Sequence, residues 1–217
     1  MEAIPGPFAN YYDWLSGNSY FQRLYRVLGE DLQAALPPGG LLLDIGTGPG
    51  HLLPMLATRR TDIRALGLDL APRMAALAHR RLLRAHLNDR MAVLAATATA
   101  LPFPAQTFDL VVATMSYHHW KNPVLGLQEM LRVVKSTGRA WLYELDQNAG
   151  IAEIRAFARQ QGQSFYLTFP GVRFVALHSA LRAQDFEQAC SQSGAPFWQI
   201  EKVHHIFWRA EIRPGRN

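Results

Sequence analysis

Short apolar runs and amphipathic stretches alternate through the middle of this chain. Strands are predicted where mostly apolar residues stand together, at about 41–45, 63–69, 90–96, 108–114 and 140–145. Between them, apolar residues recur at helical spacing, which predicts helices at about 51–59, 72–86 and 123–134. Such alternation predicts a parallel sheet with helices on both faces.

The two ends of the chain differ from this middle part. Residues 8–15 and 20–36 are predicted to be helices rich in aromatic side chains, and the Pro-Pro-Gly-Gly at 37–40 ends the second of them. Beyond the fifth strand, helices are predicted at 149–161 and 179–193, followed by adjacent strands at 196–204 and 206–213. We expect one domain over 1–217, made of a helical lid (1–37), a core (38–146), a helix with an insert (147–178), and a last helix with two strands (179–213).

The first predicted strand ends in an acid and opens into a glycine-rich turn, LLLDIGTGPG. Gly46, Gly48 and Gly50 allow positive φ and a close approach of the backbone to a ligand, and the next helix directs its free N–H groups there. A dinucleotide fingerprint requires a glycine where this chain has His51. Asp44 would repel a pyrophosphate and attract a cation. The pattern favours a nucleoside that carries ammonium and sulfonium groups, which is S-adenosylmethionine.

Four stretches in order resemble the class I S-adenosylmethionine-dependent methyltransferases. They are DIGTGPG at 44–50, GLDLAPRM at 67–74, ATALPFPAQTFDLVV at 98–112 and EMLRVVK at 129–135. The resemblance covers about 38–146, with a weaker echo at 180–203, and is nearest to the ubiquinone and menaquinone biosynthesis methyltransferases. It implies an α/β fold: a doubly wound, seven-stranded, mostly parallel Rossmann-like sheet with the last strand antiparallel and an N-terminal helical lid.

Ligands of such sheets lie beyond the carboxyl ends of the strands, which makes those ends the expected cofactor site. Asp44 would hold the ammonium group or cap the turn, and Asp69 would hold the ribose hydroxyls or cap the next helix. Leu70 and Met74 would flank the adenine, unless Met74 is only core. The full expected set is Asp44, Gly46, Thr47, Gly48, Gly50, Asp69, Leu70, Met74, Thr97, Ala98, Thr114 and Met115.

One position departs from the family pattern. The resemblance implies Gly-Asp-Ala after the third strand, with the acid accepting a hydrogen bond from the adenine amino group, whereas this chain has Ala96-Thr97-Ala98. A hydroxyl accepts one hydrogen bond without charge, so adenine binding should weaken by roughly 1 kcal/mol. The backbone N–H of Ala98 would still reach the ring.

The loop after the fourth strand reads TMSYHHW at 114–120. His118 and His119 are candidate general bases because histidine titrates near neutrality, although either could simply hold the loop by hydrogen bonds. No metal is expected, since Thr114 stands where metal-dependent catechol methyltransferases have an acid. Aromatic side chains on both sides of the expected site suggest a flat or apolar small-molecule acceptor. The candidates for binding it are Tyr11, Tyr12, Tyr117, Phe165, Tyr166 and Phe169.

Charge and composition narrow the partners. The net charge of +5 comes from arginine, and Arg73, Arg80, Arg81, Arg84 and Arg90 cluster on or after one helix, as a solvated face or a contact with an anionic surface. The loop lacks the Asn/Asp-Pro-Pro-aromatic stretch of nucleic-acid methyltransferases, so no nucleic acid is expected. Cys190 is the only cysteine, which excludes an internal disulfide and a zinc cage.

No leader peptide and no apolar run long enough to span a bilayer stand out, so we expect a cytoplasmic protein. Two alternatives to a small-molecule methyltransferase stay open: methylation of a lipid headgroup or quinone at a membrane surface, and a cofactor-binding protein without transferase activity. The pattern gives neither the acceptor nor the oligomeric state.

Overall fold

The computed structural model describes residues 10, 13–14, 16–17, 19–179 and 183–215. The strands are β1 Leu41–Ile45, β2 Arg64–Asp69, β3 Met91–Ala95, β4 Phe108–Thr114, β5 Val134–Leu145, β6 Phe197–Val203 and β7 Phe207–Arg213. The helices are α1 Ser19–Ala35, α2 Leu52–Arg59, α3 Pro72–Arg84, α4 Pro123–Val133, α5 Ile151–Gln160, α6 Phe165–Ser179 and α7 Ala183–Gln192, and a 3₁₀ turn spans Tyr117–His119.

The strands form one sheet in the order β3-β2-β1-β4-β5-β7-β6. Strands β1 to β5 run parallel to their neighbours, whereas β7 is antiparallel to both β5 and β6. The predicted seven-stranded sheet with an antiparallel last strand is therefore confirmed. The chain moves outward from β1 to β3 and then returns to β4, so the direction of winding reverses between β1 and β4, where a ligand crevice is expected.

Successive residues along the strands point to opposite faces of the sheet, and their side chains pack into two separate hydrophobic cores. Leu42, Val112 and Tyr143 face one side of the sheet, where the apolar residues of α1 and α2 pack with Phe157. Their neighbours Leu43, Val111 and Leu142 face the other side, which α4 and α7 cover. This alternation is what a parallel sheet buried on both faces requires. It leaves the carboxyl ends of β1 to β4 as the edge at which polar side chains gather.

Two segments differ from the sequence expectation. Strand β5 begins at Val134, not at 140, because Phe108 pairs with Val134 before the register shifts to Leu110 and Arg139. The sequence predicts no helix between 161 and 179, but the insert forms α6, which is continuous through Pro170. Most of the helix predicted at 8–15, with Tyr11 and Tyr12, lies outside the described residues. No helix in the described part of the chain is long and apolar enough to cross a membrane.

Candidate functional site

The glycine-rich turn after β1 is wedged between the end of β2 and the loop after β4. The N–H groups of Gly46 and Thr47 donate to the Leu68 carbonyl oxygen at 2.7 and 2.9 Å. Gly46 has φ +76, and a Cβ there would lie 2.4 Å from the Cβ of Ser116. The Ser116 hydroxyl in turn donates to the Ile45 carbonyl at 2.7 Å. Position 46 therefore tolerates only glycine, and the turn is fixed in place before any ligand arrives.

Asp69, at the end of β2, links the turn to the start of α3. One of its carboxylate oxygens accepts the N–H of Gly48 at 2.9 Å, and the other accepts the N–H of Ala71 at 2.8 Å. Burial raises the pKa of Asp69, while these two hydrogen bonds act in the opposite direction. A carboxylate has about four lone-pair sites, so roughly two remain for a ligand.

Asp44 is fully buried beside the turn. Neither of its carboxylate oxygens, nor the hydroxyl of neighbouring Thr47, has a hydrogen-bond partner among the described residues. Burial raises the pKa of Asp44 to about 7; the Thr47 side chain acts against this rise and Asp69 adds to it. A buried carboxylate without a partner is costly unless a cation reaches it. The environment of Asp44 therefore fits the ammonium group of the expected cofactor.

A cavity of about 280 Å³ opens at this edge of the sheet. Nine of the residues predicted from sequence line it: Gly46, Gly48, Asp69, Leu70, Met74, Thr97, Ala98, Met115 and His119. Asp44, Thr47, Gly50 and Thr114 do not line it; Asp44, Thr47 and Thr114 are buried, and Gly50 packs against Ala78 of α3. Sequence reasoning missed a further group of lining residues, which are Ile45, Leu68, Ala96, Thr99, Ser116, Trp120, Lys121, Asn122 and Leu125.

Two exposed leucines stand at the mouth of this cavity. Leu70 is 52 % exposed and Leu125 is 45 % exposed, although both are large apolar side chains. Thr97, at the adenine position implied by resemblance, forms its polar contact with Thr99, with 3.0 Å between the two hydroxyl oxygens. This end of the cavity is apolar and offers hydroxyls in place of an acid.

The two adjacent histidines of the β4 loop occupy different surroundings. The backbone N–H and the Nδ1 of His118 both contact the carboxylate of Glu144, at 3.2 and 2.9 Å, and Glu144 is fully buried. His118 faces a second cavity of about 320 Å³ between this loop and α7, and Trp120 lines both cavities. His119 lines the first cavity, and burial together with the nearby His118 lowers its pKa to about 4.

Of the residues proposed to bind an acceptor, the four that the structure describes do not line the first cavity. Tyr117 is buried, with its ring stacked on Phe186 at 4.9 Å, and it lines the second cavity. Phe165 and Phe169 pack against each other and the core, whereas Tyr166 is 82 % exposed. The insert does meet the N-terminal helix, since Arg23 of α1 donates to the side-chain oxygen of Gln163.

Comparison with known proteins agrees with this geometry. Residues 43–142 match a family described as a methyltransferase domain. A malonyl-[acyl-carrier protein] O-methyltransferase of Methylococcus capsulatus is 31 % identical over 75 % of this chain and 59 % of that protein. A demethylmenaquinone methyltransferase of Thermus thermophilus is 36 % identical over 48 % of this chain and 46 % of that protein. The chain thus spans only about half the length of these two curated relatives.

Solved structures match along nearly the whole chain. A protein from Methanococcus maripaludis assigned to the S-adenosyl-L-methionine-dependent methyltransferases aligns with a TM-score of 0.76 at 20 % identity, covering 100 % of this chain and 96 % of that one. A neocarzinostatin-biosynthesis O-methyltransferase, solved with S-adenosyl-L-homocysteine and 1,4-dihydroxy-2-naphthoic acid, aligns with a TM-score of 0.60 at 21 % identity. It covers 90 % of this chain and 57 % of that one.

The sheet order, the glycine turn between two strand-end acids and the methyltransferase domain matched at 43–142 support a class I S-adenosylmethionine-dependent methyltransferase, with S-adenosylmethionine as its cofactor. Within that class the chain resembles the ubiquinone and menaquinone biosynthesis group.

Proposed function

We propose that this protein transfers the methyl group of S-adenosylmethionine to an oxygen, nitrogen or carbon atom of a small aromatic or apolar molecule. The observation that carries the proposal is the fully buried Asp44, which lies behind a glycine turn whose own residues Gly46 and Gly48 line a mainly apolar cavity. A cationic, nucleoside-sized ligand would satisfy both features. The acceptor would then have to meet the cofactor on the side of β4 and β5.

Each end of the cofactor has residues suited to it. Asp44 would hold the ammonium group directly or through a water molecule, and the free lone pairs of Asp69 would accept the ribose hydroxyls. Leu70, Met74 and Leu125 would enclose the adenine, because apolar side chains at the cavity mouth gain from covering a flat ring. Thr97 would offer the adenine amino group a neutral acceptor.

Methyl transfer requires mainly alignment of the acceptor, because the sulfonium of the bound cofactor supplies an already activated methyl group. The bound cofactor would supply the methyl group and keep the sulfur electron pair, and an O–H or N–H acceptor would also have to release a proton. We favour His119 as the group that receives it, because His119 lines the cofactor cavity whereas His118 faces the second cavity. The lowered pKa of His119 keeps the ring neutral but makes it a weak base, so alignment of the acceptor would supply most of the rate. His118, held by Glu144, would fix the loop.

Cofactor binding is the direct test. Calorimetric titration of Asp69→Ala should give at least about tenfold weaker affinity for S-adenosylmethionine, or about 1.4 kcal/mol. Asp62→Ala is the matched control, because it removes an exposed acid at the opposite edge of the sheet that pairs with Arg60. Undiminished affinity in both Asp69→Ala and Asp44→Ala would sink the assignment of these two residues.

Measurements of turnover then distinguish the roles of His118 and His119. A panel of hydroxylated and amino-substituted aromatic compounds can be screened for release of the demethylated cofactor. With an acceptor found, His119→Gln should lower kcat while leaving cofactor affinity intact, and Glu144→Gln should disturb the loop and raise KM. If His118→Gln lowers kcat and His119→Gln does not, the two roles are reversed.

A second candidate is methylation of a lipid headgroup or quinone at a membrane surface. Arg73, Arg80 and Arg84 are exposed on α3, and that helix contains no acidic residue. Binding to vesicles that contain phosphatidylserine, lost in high salt, would favour this candidate. Cofactor binding without turnover of any acceptor would instead favour a non-catalytic binding protein.

A further inference from the structure

Strand β6 forms one edge of the sheet, because β7 is its only neighbouring strand among the described residues. Its seven residues, FWQIEKV, each pair with one residue of β7, without a shift in register. The backbone N–H and C=O groups that point away from β7 therefore form an uninterrupted row along the outer side of β6. Such a row can pair with a further strand.

The features that usually prevent pairing at an edge strand are absent from β6. They are a proline, a β-bulge or a charged side chain that projects from the edge, and β6 contains neither proline nor bulge. Its two charged side chains are held by their own chain. The Nζ of Lys202 lies 2.7 Å from Asp146 and also contacts Glu153, while Glu201 binds Arg209 at 2.5 Å. Neither charge is therefore free to repel an incoming strand.

Two large aromatic side chains begin this edge strand and remain partly in water. Phe197 is 42 % exposed and Trp198 is 38 % exposed. As neighbours in a strand they lie on opposite faces of the sheet, so both faces of the sheet are apolar where β6 begins. A strand added beside β6 would cover part of each ring, and burial of this apolar surface would favour the pairing.

We propose that β6 pairs in antiparallel orientation with β6 of a second copy of this chain, so that the two sheets become one. Antiparallel pairing of identical strands is related by a two-fold axis and closes after two copies. The register that uses all seven residues is centred on Ile200, which then faces Ile200 of the second copy. The inference does not depend on the proposed function, because β5 and β7 separate β6 from the strands that carry the cofactor cavity.

In this register, residues that would stand opposite each other have compatible side chains: the pairs are Phe197 with Val203, Trp198 with Lys202, and Gln199 with Glu201. Arg209 contacts only Oε1 of Glu201, so Oε2 can accept a hydrogen bond from the Gln199 amide. The Trp198 ring would cover the methylene stem of Lys202. No two like charges face each other. The sequence of β6 is complementary to itself, which favours a second copy over a strand of another protein.

Two substitutions of the exposed Gln199 test this register. Gln199→Glu would place a carboxylate opposite Glu201 at two symmetric positions, whereas Gln199→Lys would place a cation there. Sedimentation velocity from about 1 µM to about 200 µM should show a concentration-dependent dimer of the wild-type chain. The dissociation constant should rise about threefold to tenfold in Gln199→Glu and fall by a similar factor in Gln199→Lys. High salt should reduce the difference between the two variants.

Ala92→Glu is the matched control, because Ala92 is exposed on β3, the strand at the other edge of the sheet. It should leave the dimer unchanged. Hydrogen exchange gives an independent check, since exchange in residues 197–203 of the wild-type chain should slow as the concentration rises. Urea unfolding at the lowest concentration tests whether each variant is folded. If Gln199→Glu is unfolded, the comparison of Gln199→Lys with wild type decides alone.

Three results would overturn the proposal. The first is a wild-type chain that stays monomeric over the whole concentration range, which would leave the β6 edge open or available to another protein. The second is a dimer that Gln199→Glu and Gln199→Lys affect alike, which would place the contact elsewhere or in another register. The third is a dimer that Ala92→Glu weakens and Gln199→Glu does not, because the chains would then pair through β3.

Discussion

The carboxyl group of Asp44 lies where water cannot reach it, and this affects the stability of the whole protein. Burial raises its pKa to about 7 from the ordinary value of 3.8. Between these two pH values the folded chain keeps a proton that the unfolded chain releases. The contribution of Asp44 to stability therefore falls as the pH rises from about 4 to about 7. A site prepared for a cation thus weakens the protein when no cation is bound.

We expect Asp44→Asn to be more stable than wild type at pH 8, by up to roughly 4 kcal/mol, and equally stable near pH 4. Urea unfolding at pH 4, 6 and 8 measures the difference. Asp62→Asn removes an exposed acid and should show no such gain at pH 8. A constant difference between Asp44→Asn and wild type across this range would contradict the raised pKa.

At the level of elements, the turn and α3 are in direct contact. Gly50 has φ +74, and a Cβ there would lie 2.6 Å from the Cβ and 2.9 Å from the Cα of Ala78. The Cβ of Ala78 is fixed directly to the helix backbone, and its Cα is part of that backbone. Neither atom can move away from the added Cβ unless α3 moves as well. Because α3 begins just beyond Asp69, such a movement would also disturb the ribose end of the site.

Gly50→Ala should therefore lower the free energy of unfolding by about 3 kcal/mol or more, through overpacking added to an unfavourable φ. Gly162 provides the matched control, since it has φ +62 but nothing within 4 Å of a Cβ added at that position, so Gly162→Ala should cost only about 1 kcal/mol. Urea denaturation measures the loss of unfolding free energy in both variants, and the difference between the two losses is the cost of the clash with Ala78. Equal losses would mean that α3 adapts freely to the turn.

Elements with a continuous apolar run could be predicted from the sequence. Segments whose conformation is set by a neighbouring strand or helix could not. Strands β1 and β4 begin and end where predicted, because their apolar residues stand between clear polar neighbours. The first part of β5 reads KSTGR, which has no strand pattern, and it is extended only because β4 lies beside it. Similarly, α6 passes through Pro170, which local preference would not allow.

The same distinction holds within the site. The glycines and the strand-end acids could be found because they are contiguous in sequence with β1 and β2. The contact of His118 with Glu144 could not, because the two residues meet only through the register that sets Thr114 beside Tyr143. Trp120 and Leu125 line the cavity because the loop after β4 folds back over it, and no spacing rule indicates that path.

At the scale of the whole molecule, the last strand, β7, connects the C-terminal strand β6 to the parallel part of the sheet. Strand β7 pairs with β5 along Ala140–Leu145, and β6 joins only through β7. A fragment of 38–146 would therefore expose the full edge of β5 and lose the cover that α1 gives one face. The lid, core and insert are in our proposal regions of a single folding unit over 1–217.

Thermal unfolding should then follow one transition, with calorimetric and van't Hoff enthalpies that agree. The isolated fragment 38–146 should give no cooperative transition under the same conditions. Two resolved transitions in the full chain, or cooperative unfolding of the fragment, would divide the chain into separate units. Circular dichroism and scanning calorimetry are sufficient for both comparisons.

The contact between Gly46 and Ser116 restricts how this protein can diverge in evolution. The glycine turn and the loop after β4 touch at a point where one added carbon would lie 2.4 Å from the neighbouring side chain. A larger residue at position 116 would clash with the turn, and position 46 is already glycine, so no smaller residue there could relieve the clash. Substitutions at the two positions are therefore coupled. The cofactor turn therefore limits the size of the residue that can stand at position 116, in the loop that carries the histidines.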